Sequence, residues 1–142
     1  MIKTRVMIVN DSRTMRLFLE DIINSFSDCE LIRSCIDGNN AIERLPNQKP
    51  DVVLLDLEMP HMDGLTFLEI LPDNEKYPTI IVSNYAKDES DIIHDAMELG
   101  ALDSIAPPKS NSDEDNKEFR NSLHHKIIKA SLKSNRFSTI RA

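Results

Sequence analysis

The sequence contains no apolar run approaching the ~20 residues that a membrane-spanning helix needs. Its N-terminal stretch has an apolar core too short for a secretory signal and lacks a small-residue cleavage site. We therefore expect a cytoplasmic protein without a membrane partner. Only two cysteines occur, Cys29 and Cys35, and neither has a Cys or His partner at metal-site spacing. We expect both to be buried as small apolar side chains.

Basic residues are outnumbered as well. Lys and Arg total 17 against 24 Asp and Glu, for a net charge of -7. This balance argues against a general nucleic-acid binder, which usually carries a basic face. Residues 117–142 are the exception, with seven basic residues and one acid. We interpret them as a solvated helix face followed by a tail, with contact to acidic surfaces, membrane or nucleic acid as the alternative.

Length and composition indicate one globular domain. The chain has 142 residues, of which 40% are apolar and 29% charged, ordinary values for a domain with a single core. Residues 1–134 carry the alternating pattern described next. Residues 135–142 are predicted to be a C-terminal tail or the start of a linker. No internal repeat or low-complexity tract is present.

Five short apolar runs alternate with amphipathic stretches. The predicted strands are Val6–Val9, Glu30–Cys35, Val52–Leu55, Thr79–Val82 and Ala101–Ala106. The predicted helices are Ser12–Phe26, Asn39–Leu45, Leu65–Leu71, Asp88–Leu99 and Ser112 to about Ser134, with the second and third ending before a proline. Continuous apolar strands are typical of a parallel sheet covered on both faces. The pattern predicts an α/β fold, a doubly wound five-stranded parallel sheet in a three-layer sandwich.

Polar residues follow three of these strands. Asn10 and Asp11 come after the first, Asp56 after the third and Ser83 after the fourth. Ligand sites in such sheets lie outside the carboxyl ends of the strands, so these side chains are expected to meet in one cleft. Two neighbouring carboxylates repel unless a cation lies between them, and Mg²⁺ prefers oxygen ligands. The alternative is that each acid only caps the following helix.

The stretch Asp56–Gly64, which reads Asp-Leu-Glu-Met-Pro-His-Met-Asp-Gly, strongly resembles the loop of bacterial response-regulator receiver domains. The resemblance runs from Arg5 to about Ser134 and includes Ile8–Ser12, Lys49–Val53, Ile81–Ser83 and Leu99–Asp103. Asp11–Arg16 and Leu-Gly-Ala-x-Asp look most like the receiver of the chemotaxis protein-glutamate methylesterase. No Gly-x-Ser-x-Gly nucleophile motif of a methylesterase occurs.

The resemblance implies a flavodoxin-like fold and a phosphorylation site. Asp56 would accept a phosphoryl group from a histidine kinase or another phosphodonor, and Ser83 would hydrogen-bond it. Mg²⁺ would be held by Asp11, Asp56 and the backbone carbonyl of Glu58, with Asn10 acting through a water. Asn84 and Tyr85 would lie at the mouth, where Glu58 and Tyr85 are either tuning residues or plain surface. Phosphorylation would change a surface around the fourth helix, fifth strand and fifth helix, read by an unidentified output protein or domain.

The sequence departs from the receiver pattern at four positions, one of which is Asn84, bulkier than the small residue usual after Ser83. Asn10 replaces the first of two acids, Pro107 occupies the slot of a lysine that contacts the phosphoryl group, and Ser104 occupies the slot of a switch aromatic. Lys109 lies two residues beyond the lysine slot. Losing one acid and one lysine together leaves the net charge around Mg²⁺ unchanged, so we expect phosphorylation to survive. The rival hypothesis is a degenerate pseudo-receiver that binds partners without phosphorylation.

Two further readings concern catalysis. A fragment of a longer methylesterase regulator is a third hypothesis, which a downstream catalytic domain in the parent gene would decide. In this chain we expect no enzyme activity beyond phosphorylation and dephosphorylation at Asp56. A P-loop is absent. The adjacent His124 and His125 would face different sides of the last helix, so we expect surface histidines.

Overall fold

Strands and helices alternate along the chain in the computed structural model, which describes residues 2–59, 62–71, 77–84, 86 and 90–134. The strands are β1 (Thr4–Val9), β2 (Cys29–Cys35), β3 (Val52–Leu55), β4 (Thr79–Val82) and β5 (Asp103–Ile105). The helices are α1 (Arg13–Ser25), α2 (Gly38–Gln48), α3 (Gly64–Ile70), α4 (Asp91–Glu98) and α5 (Asp113–Ser131). All five strands are parallel, in the order β2-β1-β3-β4-β5. This confirms the predicted doubly wound, flavodoxin-like sheet.

Helices cover both faces of the sheet because successive side chains of each strand point to opposite sides. In β1, Val6 and Ile8 pack with α1 and α5. Met7 and Val9 pack on the other side with α2, α3 and α4. All four side chains are fully buried. The apolar runs therefore lack alternation because both faces of the sheet are covered, and the result is three layers.

The strand register brings the carboxyl ends of four strands to one edge. Val9 pairs with Leu55, and Leu55 pairs with Ile81. Val82 pairs with Ile105 on the outer strand. The residues that follow these positions therefore emerge side by side, which places the candidate site.

Helix α2 is longer than its sequence predicted. We expected it to end before Pro46, yet it continues to Gln48 with the proline inside. Pro46 is exposed and removes one backbone donor. Burial of Ala41 and Leu45 holds the helix against the sheet, and the N–H of Lys49 closes it on the Leu45 carbonyl. Packing thus outweighs the local break.

Helix α5 begins as predicted at a serine cap. The Ser112 hydroxyl accepts a hydrogen bond from the Asp115 N–H at 3.1 Å. The Asp115 carboxylate does not complete a reciprocal capping box, because it accepts from the Ser110 hydroxyl at 2.7 Å. The described part of α4 begins at Asp91 after Ser90. Its predicted start at Asp88 lies outside the described residues, as does the predicted tail 135–142.

A buried carboxylate links the amino ends of β1 and β3 to the end of α5. Asp51 is 1% exposed, and one of its oxygens accepts the backbone N–H of Arg5 at 2.8 Å. The other accepts the Ser134 hydroxyl at 2.7 Å. This network ties the turn after α5 to the base of β1 and β3.

The structure bears on two predictions, one about the cysteines and one about membrane-spanning helices. Cys29 and Cys35 are free and buried, as predicted. None of the described helices is long and apolar enough to cross a bilayer. The cytoplasmic location stays a prediction.

Candidate functional site

A cleft of about 260 Å³ opens at the carboxyl edge of the sheet. It collects residues from the ends of β1, β3, β4 and β5. Its lining consists of Asn10, Asp11, Ser12, Met15, Asp56, Glu58, Val82, Ser83, Asn84 and Pro107. The polar residues that the sequence placed after three separate strands are therefore neighbours in space. Met15 of α1, which the sequence did not predict as a site residue, also lines the cleft.

Asp56 lies at the centre of this arrangement because β3 ends directly before it. Its backbone N–H donates to the Val9 carbonyl at 3.0 Å, which extends the pairing with β1 by one residue. Its side chain is partly buried, and Oδ1 accepts the N–H of Glu58 at 3.1 Å. The carboxylate is therefore held in one orientation by its own loop.

The loop returns to β3 through a glycine. The Gly64 N–H donates to the Leu57 carbonyl at 3.0 Å. A Cβ at position 64 would lie 2.6 Å from the Asp56 carbonyl oxygen, closer than real contacts allow. Asp63 precedes it and caps α3 by accepting the N–H of Thr66 at 2.8 Å. Asp-Gly thus combines a helix cap with a position where no side chain fits.

The electrostatics of the cleft disfavour a charged Asp56. Burial raises the pKa of Asp56 to about 6, and the negative charges of Asp11 and Glu58 add to the rise. The hydrogen bond from the Glu58 N–H opposes it. A buried carboxylate beside two others is stabilised by a cation. The cleft offers carboxylate oxygens, which suit a hard divalent ion such as Mg²⁺.

Asn10 and Asp11 differ sharply in exposure. Asn10 is 4% exposed, and its Oδ1 accepts the N–H of Ser12 at 2.9 Å. Its backbone carbonyl accepts from the Arg16 guanidinium at 2.9 Å. Asp11 is exposed at the cleft. Asn10 therefore shapes the turn into α1, and Asp11 is the carboxylate of this turn that solvent reaches.

Ser83 and Asn84 form the β4 side of the cleft. Ser83 is 5% exposed, and its N–H donates to the Ile105 carbonyl at 3.1 Å. Its own carbonyl accepts from the Ala86 N–H at 3.1 Å. Asn84 is exposed at the mouth. Tyr85, the other predicted mouth residue, lies outside the described residues.

Comparison with known proteins decides the family. The family model "Response regulator receiver domain" matches residues 6–131. The chain belongs to this family. Protein-glutamate methylesterase/protein-glutamine glutaminase 3 of Rhodopseudomonas palustris is 41% identical over 107 residues, which are 75% of this chain and 29% of that protein. The chain thus spans about a third or less of the length of the first curated relatives it matches.

Solved structures of receiver domains are similar to this chain as well. The response regulator domain of Thermotoga maritima CheB aligns with a TM-score of 0.81 at 32% identity, covering 91% of this chain and 96% of that one. A structure of a CheX–CheY–BeF₃–Mg²⁺ complex from Borrelia burgdorferi aligns with a TM-score of 0.75 at 27% identity, covering 93% of this chain and 92% of that one. A structure of the P1 domain of CheA3 in complex with CheY6 from R. sphaeroides aligns with a TM-score of 0.72 at 29% identity, covering 90% of this chain and 99% of that one.

This receiver domain has a proline where the pattern has a lysine. Pro107 lines the Asp56 cleft. Lys109 does not, because it turns into a neighbouring cleft of about 180 Å³ beside Glu118 and Phe119. Ser104 is partly buried on β5, where its N–H donates to the Asp103 carboxylate. The described lining of the Asp56 cleft therefore carries acids and no basic side chain.

The two histidines of α5 lie in different environments. His125 is exposed, as predicted. His124 also lies at the surface, with 39% of its side chain exposed, and its Nε2 lies 2.8 Å from Oδ1 of Asp28, a contact that the sequence did not predict. Its ring packs on Phe26 with 4.3 Å between ring centroids. Asp28 is 96 positions away in the chain, so helical spacing could not reveal this contact.

Proposed function

We propose that this receiver domain accepts a phosphoryl group on Asp56 in a Mg²⁺-dependent reaction. The observation that carries the proposal is the orientation of Asp56 at the end of β3, with Asp11 and Glu58 beside it. An aspartate is a weak nucleophile, and phosphoryl transfer depends mainly on positioning and charge neutralisation. The cleft offers both once a divalent cation enters.

Three groups would hold the ion: the carboxylates of Asp11 and Asp56 and the backbone carbonyl of Glu58. When bound, Mg²⁺ offsets the two carboxylate charges and the charge that develops on the phosphoryl oxygens. Asn10 would act only through a water, since its Oδ1 already accepts the Ser12 N–H. The missing acid and missing lysine leave two carboxylates opposite one divalent ion, a neutral set.

The transfer itself forms one bond and breaks one. An oxygen of Asp56 attacks phosphorus, and the bond from phosphorus to the donor's histidine nitrogen or acyl oxygen breaks. The electron pair of that bond leaves with the donor, and the product is an aspartyl phosphate. Ser83, which lines the same cleft, would donate its hydroxyl hydrogen to a phosphoryl oxygen.

We place this chemistry in two-component signalling of the chemotaxis type. The curated relatives are protein-glutamate methylesterases, and one structural relative is solved with the P1 domain of CheA3. A histidine kinase is therefore the proposed phosphodonor. Phosphorylation would shift the population between two packings of α4, β5 and α5 and change a protein-binding surface. Neither nucleic acid nor membrane is a proposed partner.

The proposal is tested by intact-protein mass spectrometry after incubation with acetyl phosphate, with and without Mg²⁺. We expect a Mg²⁺-dependent gain of one phosphoryl mass in the wild type and in Asp63→Asn, and none in Asp56→Asn. Asp63 is a matched control because it lies in the same loop and an asparagine still caps α3. A gain of equal size in Asp56→Asn would refute the assignment.

A second function, a phosphorylation-independent binding module, is favoured by one observation. Pro107 stands in the cleft where a lysine would contact the phosphoryl group, and Lys109 lies in the next cleft. The same experiment separates the two functions. Absence of any mass gain, together with failure to bind beryllofluoride at millimolar Mg²⁺, would support the binding module. It would also exclude the hypothesis that phosphorylation survives because one acid and one lysine are lost together.

A further inference from the structure

Three metal-ligating side chains converge at the end of the sheet opposite the phosphorylation site. Asp28 directly precedes β2, Cys29 is its first residue, and His124 projects from α5. Asp28 Oδ1 is 2.8 Å from His124 Nε2 and 3.7 Å from Cys29 Sγ. The ligand atoms of all three residues lie within 4.8 Å of one another. None of them takes part in the proposed phosphoryl chemistry.

The cluster is held by the surrounding fold rather than by loose surface chains. The Asp28 carbonyl accepts the N–H of Thr4 at 2.9 Å, and the Cys29 N–H donates to the Phe26 carbonyl at 3.2 Å. The Phe26 ring packs against the His124 imidazole and fixes its orientation. A site whose ligands come from a strand and a helix, with their rings and backbones already ordered, is preorganised for binding.

We propose that Asp28, Cys29 and His124 bind one Zn²⁺ ion, with water as the fourth ligand. Zinc takes thiolate, imidazole and carboxylate ligands in tetrahedral geometry. Bond lengths of about 2.0 to 2.3 Å place tetrahedral ligand atoms about 3.3 to 3.5 Å apart. The oxygen–sulfur distance is already near this value. The contact between His124 and Asp28 has to open by about 0.5 Å, and the Cys29 sulfur and His124 Nε2, which lie within 4.8 Å of each other, have to come to about 3.5 Å.

Accessibility of the cluster suits such an ion. The side chains of Asp28 and His124 are 34% and 39% exposed, whereas Cys29 is 5% exposed. Solvent can therefore deliver the metal and supply the water ligand, while the sulfur stays on the protein side. On binding, the Cys29 thiol loses its proton to solvent, and Nε2 of His124 presents its lone pair.

The chemistry also separates this site from the Asp56 cleft. That cleft offers oxygen ligands from Asp11, Asp56 and Glu58, the set that Mg²⁺ prefers. The Asp28–Cys29–His124 cluster adds a nitrogen and a thiolate, which favour zinc over magnesium. A bound ion would join α5 to the turn between α1 and β2, so metal binding would stabilise the packing of α5.

The experiment uses Co²⁺ as a spectroscopic substitute for Zn²⁺ in excess Mg²⁺, with the reduced full chain. We expect one equivalent of Co²⁺ to produce a thiolate-to-cobalt charge-transfer band and tetrahedral visible absorption, both removed by Zn²⁺. Cys29→Ala should abolish the charge-transfer band, and His124→Asn should weaken Co²⁺ binding at least tenfold. The matched controls Cys35→Ala and His125→Asn should behave like the wild type.

Each outcome decides the proposal. If Asp28 and His124 form an ion pair only, one equivalent of Co²⁺ gives no charge-transfer band, and the proposal is overturned. A band that survives Cys29→Ala but is lost in Cys35→Ala also overturns it. Should Cys29→Ala fail to fold, His124→Asn decides, because it replaces a partly exposed side chain and leaves the thiol in place. Acetyl phosphate plays no part here, so failure of this site leaves the phosphorylation proposal standing.

Discussion

Replacement of Asp56 by asparagine is expected to stabilise the metal-free protein near neutral pH. Burial and the neighbouring carboxylates raise the pKa of Asp56 from 3.8 to about 6. The folded state therefore binds a proton more tightly than the unfolded state. Stability from this group is complete below the unfolded value of 3.8 and is lost as pH rises through 6.

The magnitude follows from the shift. A rise from 3.8 to about 6 corresponds to about 3 kcal/mol at most. The substituted asparagine carries no charge to desolvate, and its side-chain oxygen can still accept the Glu58 N–H. Between about pH 5 and about pH 7.5, the variant should therefore gain roughly 1 kcal/mol over the wild type, and up to about 3 kcal/mol over the full titration.

The assay is urea unfolding of both proteins in EDTA at these pH values, with Asp21→Asn on the exposed face of α1 as control. Comparing the pH dependence cancels any pH-independent cost of the substitution. Adding about 10 mM Mg²⁺ should stabilise the wild type more than the variant, since ligand binding to the folded state raises its stability. A variant whose stability keeps a constant offset from the wild type at every pH would show that Asp56 is not desolvated.

Three further predictions concern the loop, the base of the sheet and the missing lysine. Gly64→Ala should lower the free energy of unfolding by roughly 1–3 kcal/mol, measured with urea, and should slow phosphorylation, because the new Cβ meets backbone atoms. Gly38→Ala should lower it less, because the Cβ there meets a flexible methionine. Asp51→Ala should lower the free energy of unfolding by about 3 kcal/mol, because it removes a buried carboxylate that accepts two hydrogen bonds. A loss under about 0.5 kcal/mol would contradict the network. Pro107→Lys should lower the pKa of Asp56, measured by carboxyl NMR titration, because an ammonium group enters the acidic cleft; an unchanged midpoint would place position 107 too far away.

The two candidate sites lie at opposite ends of one sheet and meet through α5. The phosphorylation cleft borders Pro107, just before that helix, and the proposed zinc ligand His124 lies in its middle. A helix that belongs to the proposed output surface would thus be held at a second point. Zinc binding is therefore expected to limit how far α5 can move.

Much of the fold can be predicted from the amino-acid sequence. Runs such as Val52–Leu55 are apolar without alternation, and this pattern is produced by strands covered on both faces. The spacing of Leu19, Ile22 and Ile23 predicts α1, and these residues are buried where it packs. Sequence also places Asp11, Asp56 and Ser83 at strand ends, and parallel strands bring such ends together. Local patterns succeed here because each follows from geometry within one element.

Tertiary structure decided what depends on contacts between distant elements. Pro46 stays within α2 because burial of Leu45 outweighs one lost hydrogen bond. Lys109 lies outside the Asp56 cleft because the path of the loop after β5 sets where it points. His124 meets Asp28 because α5 packs on the same side of the sheet as α1 and reaches the turn between α1 and β2. Residue spacing along the chain cannot predict that packing, because the packing is stabilised by the core as a whole.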